Sequence, residues 1–327
     1  IQTKSESQGG AEKESIESIK FKATKFYTSQ NRLVTLNDYK AKVTEYYANA
    51  DAVAVWGGED NDPPEYGKVF LAIKPKNADF LSTVEKEEIV RKLNELNMVT
   101  VKPVIVTPEL VKILITTSFK YTTATDLSKG ELEALVRNAI IQFDETNLNN
   151  FDAVFRHSNL VKAIDESEQA VLSNITNIRL LKKVKPKINF SEGFNVNFGN
   201  GFFNPHSGHN SEGGGITTTT GFKIQGDSVN VHFFDDDGKG NIRRYILDSG
   251  VRVVKDSEAG TIDYVNGKIT INAINFTSTV NTDSSIDFTV VPSSNDVIAI
   301  RGSLIDIDID NLKVTGEEDT IISGETS

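Results

Sequence analysis

Three adjacent aspartates open the stretch DDDGKGN at 235–241. Alternate carboxylates of this kind bind calcium in loops that end on a bidentate glutamate. In this sequence Lys239 occupies a ligand position, and Ile246 stands where that glutamate belongs. The acids and glycines instead predict a hairpin turn between two strands, VNVHFF and IRRYIL.

A second acidic pattern alternates isoleucine with aspartate between Ile305 and Asp310. A ladder of carboxylates could hold a cation, but the sequence identifies no other ligand for it. The same alternation is typical of a half-buried strand whose aspartates face solvent and hinder edge-to-edge aggregation. The pattern therefore predicts one strand, LIDIDIDNLKV, and no metal site.

The four histidines suggest neither a metal site nor a catalytic triad. His206 and His209 are close enough to bind one metal ion, but they lie in a glycine-rich stretch, NPHSGHNSEGGG at 204–215, without an acid at recognisable spacing. His157 falls in a predicted helix and His232 on a predicted strand. We expect 204–215 to be an exposed, flexible loop, and we assign no catalytic, cofactor-binding or metal-binding residue.

Acidic residues also lie between two aromatic residues, Trp56 and Tyr66. They are Glu59, Asp60, Asp62 and Glu65. Paired carboxylates beside aromatic rings occur in glycoside hydrolases. The neighbouring Gly-Gly and Pro-Pro pairs form turns and extended segments, which predicts a solvated connection between two strands. The alternative of a β-rich carbohydrate-binding or glycan-hydrolysing module on a phage or cell surface stays open.

Composition restricts the class of protein. A chain of 327 residues is long enough for two or three domains, and 38% hydrophobic with 25% charged residues is typical of globular proteins. No apolar run reaches the ~18 residues of a membrane span. The net charge of -11 argues against nucleic acid and favours protein partners. Without cysteine, stability must come from packing rather than from disulfides.

Hydrophobic periodicity and capping signals predict the order of elements. Thr35, Ser82 and Ser128 are each followed three residues later by an acid, which is the signature of a capping box at a helix start. Strands are predicted near 51–57, 68–75, 110–121 and 170–182, and a further helix near 152–165. The order β-β-α-β followed by β-α-α-β indicates helices that cover a mixed sheet.

The composition changes beyond residue 185, where glycines are concentrated and no helical stripe occurs. We therefore predict an α+β fold with three segments. Residues 1–48 form a helical segment that continues from a missing N-terminal part, 49–185 form an α/β domain, and 186–327 form a β-rich domain. The last is expected to be a sandwich or an open barrel.

Two stretches resemble the baseplate-J-like family of contractile-tailed phages. The first is GGAEKESIESIKFKATKFYTSQNRLVTLNDYKA at 9–41, which leads to a signature containing Arg32, Thr35 and Tyr39. The second is VWGGEDNDPPEYGKVFLAIKP at 55–75. They occur in the family's order, and the long β-rich region is similar to the larger wedge subunits of T-even-type phages. The chain would then be the C-terminal half of such a subunit.

The resemblance implies a structural protein of the virion and no enzyme. It implies a homodimer that contacts other wedge proteins, neighbouring wedges and sheath-proximal baseplate proteins, in the tail baseplate and in the host cytoplasm during assembly. The wedges would surround a central hub and rearrange when the sheath contracts. No cofactor, metal, nucleic acid or membrane is implied. We expect the β-rich region to contribute the interface, with 204–215 becoming ordered on contact.

Overall fold

A computed structural model of the chain describes residues 16, 32–61, 63–76, 78, 80–98, 100–148, 150–151, 153–209, 215–300 and 302–319. They form two compact units. Unit 1 comprises the described residues up to Glu109, together with 302–303. Unit 2 comprises those from Leu110 to Ile300 and from Leu304 onward. None of the described helices is long and apolar enough to cross a membrane.

Unit 1 is a three-stranded sheet with two helices. Its elements are α1 Leu36–Tyr46, β1 Ala50–Gly57, β2 Lys68–Pro75, α2 Thr83–Asn94 and β3 Lys102–Val106, with a 3-10 turn at Gly58–Asp60. The central strand β2 pairs antiparallel with β1 and parallel with β3. Val43 of α1 and Leu93 of α2 are buried with Leu71 of β2 in one core.

All three predicted capping boxes are present. Thr35 begins α1, Ser82 begins α2, and Ser128 begins α3, Lys129–Asn147. In each box the hydroxyl accepts the third residue's N–H, and that residue's carboxylate accepts the cap's N–H. Hydrogen bonds from Ser82 lower the pKa of Glu85. The helix starts are thus fixed locally by residues that the sequence identifies.

The first part of unit 2 packs helices on two long strands. Its elements are β4 Glu109–Tyr121, α3, β5 Val154–Phe155, α4 His157–Asp165 and β6 Val171–Val184. Strands β4 and β6 pair antiparallel over their length. Alternate residues of each strand, such as Ile113 and Ile178, are buried in the same core as Val136 of α3 and Leu160 of α4.

The rest of unit 2 is built from strands. They are β7 Ser191–Asn197, β8 Thr218–Thr219, β9 Phe222–Ile224, β10 Asp227–Asp236, β11 Asn241–Asp248, β12 Val251–Asp263, β13 Lys268–Thr279, β14 Ile286–Val290, β15 Val297–Ile298, β16 Ser303–Ile307 and β17 Lys313–Glu318. Neighbours pair in the order β11-β12-β13-β9-β10, and β10 also pairs with β11. These five strands therefore form a closed barrel, where the sequence predicted a sandwich or an open barrel.

The barrel shares one sheet with the helix-covered strands. From β10 the order continues through β8, β14, β6 and β4 to β16, and β17 pairs parallel with β4. Fully buried phenylalanines lie in one core, among them Phe222 of β9, Phe234 of β10 and Phe288 of β14. The structure confirms the predicted α+β class, in which the described chain is mostly β.

The predicted division into 1–48, 49–185 and 186–327 remains a prediction. The two compact units separate near Glu109, and β4 and β6 belong to the sheet that contains the barrel. The described residues on both sides of residue 185 therefore belong to the same unit.

Some predicted elements need correction. LIDIDIDNLKV is not one strand, because the chain turns after Ile307 and resumes as β17. The helix predicted to start near 152 starts at His157, after the short strand β5. Of the described residues of VIAIRG, two form the strand β15.

Candidate interaction surface

A groove of about 790 Å³ crosses the sheet of unit 2. We call it the sheet groove. It is lined by residues of β4, β6, β8, β14 and the start of β17, and by residues next to the last three strands, namely Leu114, Ile115, Thr116, Asn177, Ile178, Arg179, Leu181, Thr218, Thr219, Thr220, Asp287, Thr289, Val291, Asn311 and Lys313. Side chains alternate across a strand, so Thr116 and Arg179 lie on the face opposite to the buried Ile113 and Ile178.

Strand register places the polar residues of the sheet groove in rows. Thr116 of β4 lies between Lys313 of β17 and Asn177 of β6. Thr289 of β14 is opposite Thr218 of β8. The floor of the groove therefore presents hydroxyl and amide groups across several neighbouring strands.

Two cations of the sheet groove have no partner within the described chain. Neither Arg179 nor Lys313 makes an ion pair or a hydrogen bond through its side chain there, and both are exposed. By contrast, Asp287 is held by its neighbours: its Oδ1 accepts from Asn281 Nδ2 at 2.9 Å. The groove thus has two cations available to a ligand.

The three aspartates of 235–241 do not converge on a common ion. Asp235 is fully buried and accepts from Arg243 Nη2 at 2.9 Å and from Arg252 Nη1 at 2.7 Å. Asp236 is also buried and accepts from the hydroxyl of Tyr264 at 2.8 Å.

Asp237 accepts from the backbone N–H groups of Lys239 and Asn241, which closes the turn between β10 and β11. The predicted hairpin is confirmed. Two of the three acids are therefore structural parts of the barrel wall, and the third fixes the turn.

The Ile-Asp alternation after 304 is only partly as predicted. Ile305 and Ile307 are buried, but Asp308 is also buried, at 4% exposure, instead of facing solvent. Its backbone N–H donates to Ile113 O, and its Oδ2 accepts from Asn311 Nδ2 at 2.9 Å. The reason is that the strand ends at Ile307, so the period of two no longer applies to the next residue.

His206 and His209 contact each other, with 3.1 Å between His206 Nε2 and His209 Nδ1. Both are exposed, as expected for this loop, whose residues 210–214 lie outside the described part. Within the described residues, no group of three or more His, Asp or Glu is arranged to hold a metal ion. His157 Nε2 instead lies 2.9 Å from Thr176 O.

The connection between β1 and β2 is the predicted turn region. Trp56 is only 9% exposed, stacks on Phe70 with 6.0 Å between ring centroids, and donates from Nε1 to Asn61 Oδ1 at 2.8 Å. Tyr66 is 80% exposed. The tryptophan that a sugar would stack on is therefore part of the packed structure of unit 1, and Asp62 lies outside the described residues.

A buried histidine lies in the wall of the barrel. His232 is 1% exposed, accepts from Arg244 Nη1 through Nδ1, and contacts Asp227 Oδ2 through Nε2 at 3.1 Å. Since Nδ1 accepts, the proton is on Nε2 and the ring is neutral. Burial, and then the charges of Arg244 on β11 and Lys255 on β12, lower its pKa, although Asp227 on β10 acts in the opposite direction.

We expect the free energy of unfolding to fall as the pH drops below about 6.5, the pKa of an unfolded histidine. The unfolded chain takes up a proton there that the folded chain excludes, so the stability present above this pH is lost below it. Between pH 7.5 and 5.5 the loss should be about 1 kcal/mol greater in the unchanged chain than in His232→Gln. Urea unfolding at both pH values measures this, and equal losses in the two proteins would contradict it.

The sequence alone did not single out the sheet groove. Arg179 and Lys313 are distant along the chain. They lie in the same groove only because β17 and β6 both pair with β4. The run TTTT at 217–220 was a visible signal, since it is unusual for a loop to be so rich in β-branched hydroxyl residues. These threonines become part of the groove because residues 218–219 pair with β14, which is distant in the sequence.

Comparisons with known proteins identify similarity to phage tail components. Residues 35–106 match the family described as "Baseplate structural protein gp6, C-terminal domain I". Residues 111–183 match "Baseplate structural protein gp6, C-terminal domain III". The first match runs from the start of α1 to the end of β3, and the second from β4 to β6. Both name gp6-like proteins, so the baseplate-J-like name is not confirmed.

A curated relative and a solved structure add to this. The chain is 29% identical over 180 residues to "Baseplate wedge protein gp6" of Enterobacteria phage T4, which covers 54% of this chain and 26% of that protein. The chain therefore spans about a quarter of this relative's length. A chain of the anti-feeding prophage baseplate aligns with a TM-score of 0.38 and 14% identity over 50% of this chain and 37% of that one. No argument rests on that weak alignment.

Proposed function

We propose that this chain is a structural component of a phage tail baseplate wedge. Its role is to assemble through protein-protein contacts into the inner baseplate around the hub, and to take part in the rearrangement of the baseplate on sheath contraction. The observation that carries the proposal is the 29% identity over 180 residues to a protein named as a baseplate wedge protein. The two matched gp6 domains support it, since each coincides with a folded segment of the structure.

The proposed partners are a second copy of the chain, other wedge proteins, neighbouring wedges and sheath-proximal baseplate proteins. The proposed location is the virion, with the host cytoplasm during assembly. The role requires no catalytic residue, cofactor or metal. The contacts would be of the size typical of stable interfaces, about 800 Å² on each partner. The β-rich region and the loop at 204–215 remain the proposed contributors.

Sedimentation equilibrium tests this proposal. The purified chain is measured over a range of concentrations, alone and with candidate wedge subunits. We expect a mass that rises with concentration toward a dimer, or a defined complex with a wedge subunit. A chain that stays monomeric and ignores every wedge subunit would refute the proposed assembly role.

A further inference from the structure

We propose that the sheet groove binds an extended acidic segment of a partner protein. The first argument is charge. The chain has 46 Asp and Glu against 35 Lys and Arg, so its net charge is negative. Arg179 and Lys313 nevertheless lie exposed in one groove without ionic partners in the described chain. Complementary charge across an interface favours correct partners and speeds their encounter.

The spacing of the two cations fits an extended chain. Lys313 is opposite Thr116, which is opposite Asn177, and Arg179 follows two residues later on β6. With about 4.8 Å between strands and about 3.4 Å per residue, the two Cα atoms are roughly 12 Å apart. Carboxylates four residues apart in an extended peptide lie on the same face and are separated by roughly 14 Å, which long side chains such as Arg and Lys can span.

The remaining lining residues favour a polypeptide over other anions. Threonine and asparagine side chains can hydrogen-bond to the N–H and C=O groups of an extended segment. None of the described lining residues is aromatic, so the groove offers no ring for a base or a sugar to stack on.

This inference deepens the proposed function and rests on it for the identity of the partner, which would be a protein of the baseplate. The binding chemistry itself is independent of that identity. A test with a synthetic peptide therefore separates the two ideas.

The probe is a fluorescein-labelled ten-residue peptide that alternates glutamate with threonine, and the readout is fluorescence anisotropy with the full chain. The groove variant is Arg179→Glu with Lys313→Glu. The matched control is Lys255→Glu with Lys268→Glu, which changes the net charge equally at exposed positions of the barrel strands β12 and β13. Circular dichroism spectra and melting curves check that both variants fold like the unchanged chain.

We expect the groove variant to bind the acidic peptide at least about tenfold more weakly than the unchanged chain, and the control variant to bind within about twofold. Binding should weaken with salt, and a peptide that alternates lysine with threonine should not bind. Equal loss in both variants, equal binding of the lysine peptide, or no binding to the unchanged chain at millimolar concentration would overturn the proposal. So would groove-dependent binding of single-stranded DNA without binding of the acidic peptide.

The same variants distinguish the two proposals in sedimentation with wedge subunits. If the groove variant assembles as well as the unchanged chain, the inference about the groove is wrong and the assembly role stands. If the chain binds the acidic peptide through the groove but ignores every wedge subunit, the assembly role is wrong and the inference stands.

Discussion

Replacing Asp235 with alanine should lower the free energy of unfolding of unit 2 by about 3 kcal/mol or more. The carboxylate is fully buried and accepts hydrogen bonds from Arg243 on β11 and Arg252 on β12. Its removal leaves two guanidinium groups close together without a counter-charge, and breaking a buried pair costs about 3–5 kcal/mol. Both arginines are partly exposed, which places the expected value near the lower end.

The measurement is urea unfolding of the full chain followed by circular dichroism. Fluorescence of Trp56, the chain's one tryptophan, reports separately on unit 1. The control is Asp256→Ala, because the Asp256 side chain is 42% exposed and lies 3.9 Å from Arg244. An ion pair this long, with its carboxylate partly exposed to solvent, contributes less than about 1 kcal/mol. Equal destabilisation by the two substitutions would show that burial of Asp235 is not decisive.

Phe222→Ala should be as damaging, with a loss of about 3–5 kcal/mol in unit 2. Phe222 is fully buried, and its ring centroid lies 4.6 Å from that of Phe234 and 5.1 Å from that of Phe276. Alanine would remove apolar area and leave a cavity between strands β9, β10 and β13. The closed barrel has little freedom to collapse around it.

The control for this prediction is Phe190→Ala. The Phe190 ring is 56% exposed and lies beneath Lys187 Nζ at 5.5 Å from the centroid. The same change of side chain should cost less than about 1 kcal/mol there. Melting temperatures and urea midpoints of both variants measure the difference, and a Phe222 variant as stable as the Phe190 variant would contradict the packing argument.

Local signals in the sequence predicted the features that depend on neighbouring residues. The capping boxes at Thr35, Ser82 and Ser128 are formed within four residues of chain, and each fixed a helix start correctly. The alternation in β4 likewise predicted its buried face. Such patterns are readable because burial and hydrogen bonding repeat with the period of the element.

The sequence did not predict the features that depend on pairing between strands far apart along the chain. Closure of the barrel requires β9, only three residues long, to bridge β13 and β10. Burial of Asp235 depends on arginines from two other strands, and burial of Asp308 depends on where β16 ends. The sheet groove is of the same kind, since Arg179 and Lys313 are brought together by β4. A one-dimensional pattern does not state which strands will be neighbours.

The parallel pairing of β17 with β4 has a consequence for how the protein is made. Residues 116–121 of β4 find their partners at 313–318, after almost all of unit 2 has been synthesised. At a translation rate of about 5–20 residues per second, that edge of β4 stays unpaired with β17 for roughly 10–40 s. An apolar strand with an open edge invites pairing with other chains. The long-range pairing of this sheet therefore leaves that edge of β4 open until β17 has been synthesised.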